Sequence, residues 1–131
     1  MPSFSKSSSD KLDTCDIRLQ ELFNEVIKHV DCTVLCGHRT KHEQDAVFNE
    51  GKSKVQWPNS KHNKSPSLAV DVVPYPIDWN DKHRFYMFVG FVRGMAAKMG
   101  IRIRCGADWN GNMEWKDQNF HDLPHFELEE R

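Results

Sequence analysis

One apolar run in this chain, residues 68–73, contains a carboxylate. The run reads Leu-Ala-Val-Asp-Val-Val, and its charged residue is Asp71. A run of this length and composition predicts one β-strand of the core. A bare charge inside a core strand costs several kcal/mol. The fold must therefore supply Asp71 with a metal ion or an ion-pair partner, or leave it at an exposed strand edge.

Two histidines can complete a metal site with this carboxylate. His62 lies nine residues before Asp71, and His125 follows Asp122 by three residues near the C-terminus. Two imidazoles and one carboxylate form a mixed nitrogen and oxygen set that suits zinc and leaves a fourth position open, as catalytic zinc sites do. The spacing is permissive, so the residue types alone are equally compatible with unrelated surface residues.

Three stretches have the periodicity of helices. Apolar residues at three- and four-residue intervals predict one long amphipathic helix from Asp10 to about Val30. Thr40 and Glu43 form a capping-box sequence at the start of a short second helix, which a glycine ends at position 51. A third helix carries a stripe of aromatic and methionine residues and ends before Gly100.

Short β-favouring runs predict four strands, and in one of them strict alternation leaves Arg102 and Arg104 in solvent. The runs cover residues 32–36, 68–73, 101–105 and 125–128. Strands of this kind with segregated helices predict an α+β fold, a single domain with a small, mostly antiparallel sheet on which the helices pack. The domain is expected over residues 10–131, after a polar and frayed segment 1–9.

Composition narrows the classes of function. A chain of 131 residues is the size of one domain, and a formal net charge of −1 offers no field for nucleic acid. We expect no membrane insertion and no signal peptide, because the sequence has no long apolar stretch and its first residues lack an apolar core. The four cysteines lack a Cys-x2-Cys spacing and are expected to be thiols. Cys32 and Cys36 could bind a metal with His38, but their stretch is more typical of a strand.

Five short motifs follow one another in a characteristic order. Together they resemble the zinc D,D-carboxypeptidase and dipeptidase family (VanY- and VanX-like), most closely its phage branch of L-alanyl-D-glutamate peptidase endolysins, which cut peptidoglycan stem peptides. The resemblance covers residues 33–128 and departs from the family's usual pattern in a longer stretch at residues 63–68. The motifs are Gly37-His38-Arg39-Thr40, Ser60-Lys61-His62-Asn63, Ala69-Val70-Asp71-Val72-Val73-Pro74, Gly106-Ala107-Asp108-Trp109-Asn110 and Asp122-Leu123-Pro124-His125-Phe126-Glu127-Leu128.

This resemblance implies a hedgehog/D,D-peptidase-like fold with one Zn²⁺ per chain, bound by His62, Asp71 and His125. Asp122 takes the place of the family's catalytic base, and a turn or helix cap is the alternative role for its carboxylate. Arg39 takes the place of a substrate-binding arginine, for which a surface salt bridge is the alternative.

The resemblance also suggests secondary roles around the metal. Ser60 is expected to bind substrate or, equally well, to cap its own turn. Glu127 is expected to orient a metal-bound imidazole, as carboxylates commonly do. Asp108 and Trp109 are expected to line the cleft, although a tryptophan in a loop is as often a packing anchor. His121 is a reserve metal ligand.

The expected function is that of an endolysin, a hydrolase of bacteriophage origin that cuts the L-Ala to D-Glu bond of the peptidoglycan stem peptide by metal-activated water. The alternatives are a D,D-carboxypeptidase that acts on terminal D-Ala-D-Ala, and an inert zinc-bearing module that binds the cell wall. We expect a monomer in the host cytoplasm that reaches the wall at lysis, with a separate phage holin for its release.

Overall fold

Four strands form one antiparallel sheet in the computed structural model, which describes residues 2–113 and 122–129. The order across the sheet is β1-β2-β4-β3, so β2 and β4 are the central strands. The predicted α+β fold with a small antiparallel sheet is confirmed. The strands are β1 (Cys32–Cys36), β2 (Ala69–Pro74), β3 (Ile103–Cys105) and β4 (His125–Leu128).

The register of the sheet brings residues from distant parts of the chain beside Asp71. On one side, Asp71 of β2 pairs with His125 of β4. On the other side, it pairs with Cys36 of β1, next to an irregularity in the ladder between Val34 and Cys36. Asp71 therefore lies in the middle of three adjacent strands, where neighbouring side chains on one face can reach its carboxylate.

The N-terminal part of the chain differs from its prediction. The expected single helix is two helices, α1 (Lys6–Leu12) and α2 (Ile17–Val26). The chain breaks between them because its backbone pairs with Ser67 instead: the amide of Asp16 donates to the carbonyl of Ser67 over 2.8 Å, and the amide of Ser67 donates to the carbonyl of Thr14 over 2.9 Å.

The expected frayed segment 1–9 is also wrong in its second half, since α1 begins at Lys6. Ser5 caps this helix by accepting a hydrogen bond from the amide of Ser8. The Ser8 side chain is buried, and its hydroxyl accepts from the amide of Val34 over 3.0 Å. A small side chain lets the helix approach β1 closely, and its oxygen satisfies a backbone donor that would otherwise be unpaired.

The two later helices have the ends that their sequences predict. Thr40 and Glu43 form a capping box at the start of α3 (Lys41–Asn49). Asp81 caps α4 (Lys82–Met99), which ends at Gly100 with a left-handed φ of 73°. Helix α1 packs on β1, and α4 packs on α2, β2 and β3. None of the helices in the described ranges combines the length and apolar character needed to cross a bilayer.

The core lies between the sheet and helices α2 and α4. Phe126 of β4 is its centre, because its ring meets Phe23 of α2 at 5.3 Å and Phe88 of α4 at 6.2 Å, both edge to face. These three side chains are buried. Since residues alternate along a strand, Phe126 enters the core while His125 and Glu127 point to the opposite face of the sheet. Burial of Phe126 therefore places His125 and Glu127 on the face of the sheet that carries Asp71.

Candidate active site

His62 lies in a single helical turn that begins after Ser60. The residues of this turn, Lys61–Asn63, form a 3-10 helix, and the Ser60 hydroxyl caps it by accepting a hydrogen bond from the amide of His62 over 3.2 Å. The ring nitrogen Nδ1 lies 2.8 Å from the carbonyl oxygen of Gly37 and donates to it. The lone pair of the neutral ring is therefore on Nε2, which lies 3.2 Å from Oδ1 of Asp71.

His125 is oriented by a carboxylate on its own strand. Glu127 lies two residues further along β4, on the same face, and its Oε1 is 2.7 Å from Nε2 of the ring. The ring donates to this carboxylate, which leaves the lone pair of Nδ1 at 3.3 Å from Oδ1 of Asp71. Glu127 is in turn fixed by Arg104 at 2.8 Å and Lys61 at 3.2 Å. The predicted orienting role of Glu127 thus has a structural basis.

Asp71 joins the two histidines, which are both buried. One nitrogen of each ring and the carboxylate oxygen between them form a donor set that suits a divalent metal ion. Two overlapping groups have ligand atoms within 4.8 Å of one another, one of Cys36, His62 and Asp71 and one of Asp71, Asp122 and His125. Asp71 belongs to both groups, whereas His62 and His125 belong to different ones, so the three predicted ligands are distributed over two groups that share one carboxylate.

Cys36 lies beside this site, but it contacts the His62 ring at Nδ1, and the nitrogen that faces Asp71 is Nε2. Its sulfur is 3.8 Å from Nδ1 of His62, the nitrogen that donates to Gly37, whereas the ligating lone pair of that ring faces Asp71. Of the predicted alternative set, Cys36 belongs to one of the two groups, whereas Cys32 and His38 belong to neither of the groups found among the described residues. His121 lies outside the described residues.

Burial and charge act in opposite directions on these groups. Burial disfavours the charged imidazole of His62, yet the neighbouring Asp71 carboxylate outweighs it and raises the pKa of His62 to about 10. The pKa of His125 is raised for the same reasons, against its burial, by hydrogen bonds to Asp71 and Glu127. Burial would raise the pKa of the Asp71 carboxyl, but the two imidazoles hold it well below its ordinary value. These shifts favour positive charge on the imidazoles of His62 and His125 and negative charge on the carboxylate of Asp71.

Asp122 lies next to this centre in the turn that precedes β4. Its Oδ2 is 3.9 Å from Nδ1 of His125, and its side chain is 32% exposed. Burial, followed by repulsion from Asp71, raises the pKa of the Asp122 carboxyl. The backbone amide of Asp122 donates to Gly106 over 3.0 Å, and the amide of His125 donates to the carbonyl of Asp122 over 3.1 Å. The predicted base therefore faces the metal site on a hydrogen-bonded turn.

Gly106 is a functional position that the sequence did not single out beyond its motif. A Cβ atom at this residue would overlap with the carbonyl oxygen of Asp122. The amide of Gly106 also donates to the carbonyl of His125 over 2.8 Å. Only a residue without a side chain permits this close approach of two backbone segments. Gly106 therefore sets the position of Asp122.

Arg39 lies at the end of β1 with its guanidinium directed at the centre. Nη2 is 3.7 Å from Oδ2 of Asp71 and 3.6 Å from the Cys36 sulfur. Nη1 donates to Oε1 of Gln44 over 2.9 Å. Gln44, which sequence reasoning missed, is fully buried in α3 and donates to the carbonyl of Val55 over 2.8 Å. A buried glutamine on a polar helix gives no periodic signal, so only the packing exposes its role.

The metal-site residues form part of the wall of a cleft of about 810 Å³, a size typical of ligand sites. Arg39, Ser60, Asp122 and Trp109 line it as the sequence predicts. The Trp109 ring lies 5.3 Å from the His125 ring. Arg39 and Ser60 are thus placed to meet a substrate, although Ser60 also caps its turn.

Two predictions about this cleft have different outcomes. Arg104 is exposed, as the sequence predicts, and it also lines the cleft, where its guanidinium pairs with Glu127 and lies over the Trp109 ring at 5.5 Å. Asp108, expected in the cleft, is not one of its lining residues. Its carboxylate instead pairs with Arg93 at 3.0 Å and accepts from the amide of Met113 over 2.7 Å.

Comparisons with known proteins identify the family of this chain. The model of the phage L-alanyl-D-glutamate peptidase family matches residues 2–129. The L-alanyl-D-glutamate peptidase of Escherichia phage T5 is 31% identical over 133 residues, which cover 95% of this chain and 96% of that protein. The crystal structure of the Serratia marcescens L-Ala D-Glu endopeptidase ChiX has the same fold, with a TM-score of 0.75 and 23% identity over 97% of this chain and 90% of that chain. From the family match and the phage relative, we conclude that this chain belongs to the phage L-alanyl-D-glutamate peptidase family.

Proposed function

We propose that this chain is a zinc-dependent endopeptidase that hydrolyses the L-Ala to D-Glu bond of the peptidoglycan stem peptide. The observation that carries the proposal is the meeting of His62, Asp71 and His125 beside Asp122 at the wall of an open cleft. The substrate follows from the names of the family and of the phage relative.

The donor set favours zinc among the divalent ions. Zinc commonly takes imidazole nitrogens together with a carboxylate oxygen, and a site with three protein ligands leaves a position for water or substrate. When bound there, zinc would lower the pKa of a water molecule and polarise the carbonyl of the scissile amide. The hydrogen bonds from His62 to Gly37 and from His125 to Glu127 keep the ligating lone pairs directed inward.

Asp122 supplies the proton transfers that amide hydrolysis needs. Its carboxylate takes a proton from the attacking water and delivers it to the nitrogen of the leaving D-Glu residue. Burial raises the pKa of this carboxyl, which makes it a better acceptor than an ordinary surface aspartate. An inert wall-binding module has no use for such a base, so Asp122 favours an enzyme over that alternative.

The cations of the cleft suit an anionic stem peptide. Arg39 presents a planar guanidinium beside the metal ligands, a group that can hold a substrate carboxylate or the scissile carbonyl through paired hydrogen bonds. The acidic residues of the cleft wall are in contact with histidines. The cleft wall also contains several cations besides Arg39. These further cations are Lys52, Lys54, Lys61, Lys82 and Arg104.

Digestion of purified peptidoglycan with mass analysis of the products tests the proposal. Cleavage at L-Ala to D-Glu releases peptides that begin with D-Glu and leaves L-Ala on the sugar, whereas a D,D-carboxypeptidase releases free D-Ala. Zinc content should be about one per chain, and a chelator should abolish activity. His62→Ala should lose both zinc and activity. His42→Ala, which changes an exposed histidine of α3, is the matched control and should keep both.

Loss of only D-Ala would replace the proposed substrate with the D,D-carboxypeptidase reaction. Full activity in the chelated protein would overturn the metal-dependent mechanism. Retention of stoichiometric zinc by the His62 variant would remove that residue from the ligand set.

A further inference from the structure

A segment between β2 and α4 carries large apolar side chains in solvent. The exposed fractions are 55% for Tyr75, 41% for Ile77 and 54% for Trp79. These residues occupy every second position of the segment. Exposed apolar clusters of this kind commonly mark a contact surface. Among these three, Trp79 lines the cleft that contains the metal site.

This segment is held by its own hydrogen bonds. The guanidinium of Arg84 in α4 donates to the carbonyl of Tyr75 and, over 2.6 Å, to the carbonyl of Pro76. The amide of Asn80 donates to the side chain of Asp78 over 3.0 Å, and the amide of Asp81 to the carbonyl of Asp78 over 3.1 Å. The backbone on both sides of Trp79 is therefore positioned before any ligand arrives.

The indole of Trp79 is also fixed on one face. It stacks on the ring of Phe85, with centroids 5.4 Å apart and planes inclined by 19°, and Phe85 is itself 1% exposed. More than half of the Trp79 surface nevertheless remains in solvent. Trp109, which also lines the cleft, differs because Arg104 and His125 already pack against its ring. Trp79 is thus an aromatic plate that is fixed in place by Phe85 and still has exposed surface on which a ligand can pack.

The chemistry of the proposed substrate indicates what this plate meets. On the amino side of the scissile bond, a stem peptide has only L-Ala, which is joined through a lactyl group to N-acetylmuramic acid. Because an extended residue spans about 3.6 Å, the sugar begins within roughly 7–11 Å of the scissile carbonyl. Pyranose rings present C–H groups from their faces, and the face of an aromatic ring carries the negative side of its quadrupole.

On the basis of the proposed function, we propose that Trp79 is a stacking platform for the pyranose ring of the glycan strand. This subsite makes the enzyme prefer stem peptides that are still attached to sugar over free stem peptides. A rigid plate loses little conformational freedom when the sugar binds, which favours affinity.

Competition between two substrates in one tube tests the platform. One substrate is the disaccharide tetrapeptide from digested wall, and the other is the same tetrapeptide after an amidase has removed the sugar. Wild-type enzyme should cleave the sugar-bearing form with a kcat/KM about 2- to 12-fold higher, the range expected for one aromatic stacking contact. Trp79→Ala should lose most of this preference by slowing only the sugar-bearing substrate, and Trp79→Phe should retain much of it.

Tyr75→Ala is the matched control, because Tyr75 is equally exposed on the same segment but is not among the residues of the cleft wall. Its preference should equal that of the wild type. Equal slowing of both substrates by Trp79→Ala, an unchanged preference, or no preference in the wild type would each overturn the sugar platform while wild-type cleavage at L-Ala to D-Glu continued. Failure of the wild type to cut either substrate at that bond would overturn the proposed function itself.

Discussion

His125 donates the hydrogen of Nε2 to Oε1 of Glu127 over 2.7 Å, between residues that lie two apart on one face of β4. When the ring is neutral, as a metal ligand must be, the bond selects the tautomer whose Nδ1 lone pair faces Asp71. It connects His125, which we propose as a metal ligand, to a carboxylate that two cations of the cleft hold in place. We therefore expect the metal affinity of the proposed site to depend on Glu127, a residue outside the proposed ligand set.

Replacement of Glu127 by Ala should weaken zinc binding by about 10- to 100-fold, the usual effect of removing a partner of a metal-bound histidine. Glu127→Gln keeps an acceptor and should lose less. Competition with a chromophoric chelator measures both affinities, and Glu21→Ala, an exposed change in α2, serves as control. An unchanged affinity in the alanine variant would show that the imidazole keeps its orientation without this bond.

Zinc affinity should rise with pH. The pKa of His62 is raised to about 10, so at pH 7 its ring in the metal-free protein carries an extra proton that a metal must displace, and the pKa of His125 is shifted in the same direction. Asp71 is already ionised and releases none. Calorimetry at pH 7 in buffers of different ionisation enthalpy should therefore detect protons released when zinc binds. Binding without proton release would contradict these directions.

Asp122→Ala should keep zinc but lower turnover by about 10²- to 10⁴-fold, the typical effect of losing a positioned general acid and base. Asp122→Asn, which keeps the shape of the side chain but cannot accept the proton, should be impaired to a similar degree. Zinc content and turnover on wall fragments are measured on the same preparation. Wild-type turnover in either variant would reduce Asp122 to a structural cap.

Arg39→Lys should lower kcat/KM by about five- to 100-fold with zinc content unchanged, because an ammonium group cannot form the paired hydrogen bonds of a guanidinium. The same change also removes the hydrogen bond to the buried Gln44. A melting curve is therefore recorded beside the kinetics. Arg102→Lys is the control, since that arginine is exposed. Normal kinetics in Arg39→Lys would pass the anchoring role to another cation.

Gly106→Ala should lower both activity and melting temperature, because the added Cβ displaces the carbonyl of Asp122 and with it the turn before β4. Gly90→Ala is the matched control. Gly90 lies exposed in α4 with open space around its Cβ position, so alanine there should stabilise the protein by about 0.5–1 kcal/mol through helix propensity. Full activity of the Gly106 variant would mean that the turn has room to shift.

Local patterns in the sequence were sufficient for the later helices, for the strands and for the residue types of the candidate site. The capping box at Thr40 and the glycine at position 100 mark helix ends, and both are confirmed. A carboxylate in an apolar run is a local anomaly whose cost holds in any fold, which is why Asp71 could be recognised as a residue in need of a partner. The family motifs then indicated His62 and His125 as its partners.

Only the tertiary structure decided which groups meet. Arg104 is exposed, as the alternation along its own strand predicts, but only the pairing of β3 with β4 brings it to Glu127. The break after α1 arises because Ser67, more than fifty residues later, bonds to the chain at Thr14 and Asp16. Cys36 likewise reaches the site through strand pairing. Local periodicity indicates which face of an element is buried. The register between elements depends on packing energies summed over distant residues, so it cannot be predicted from any short segment alone.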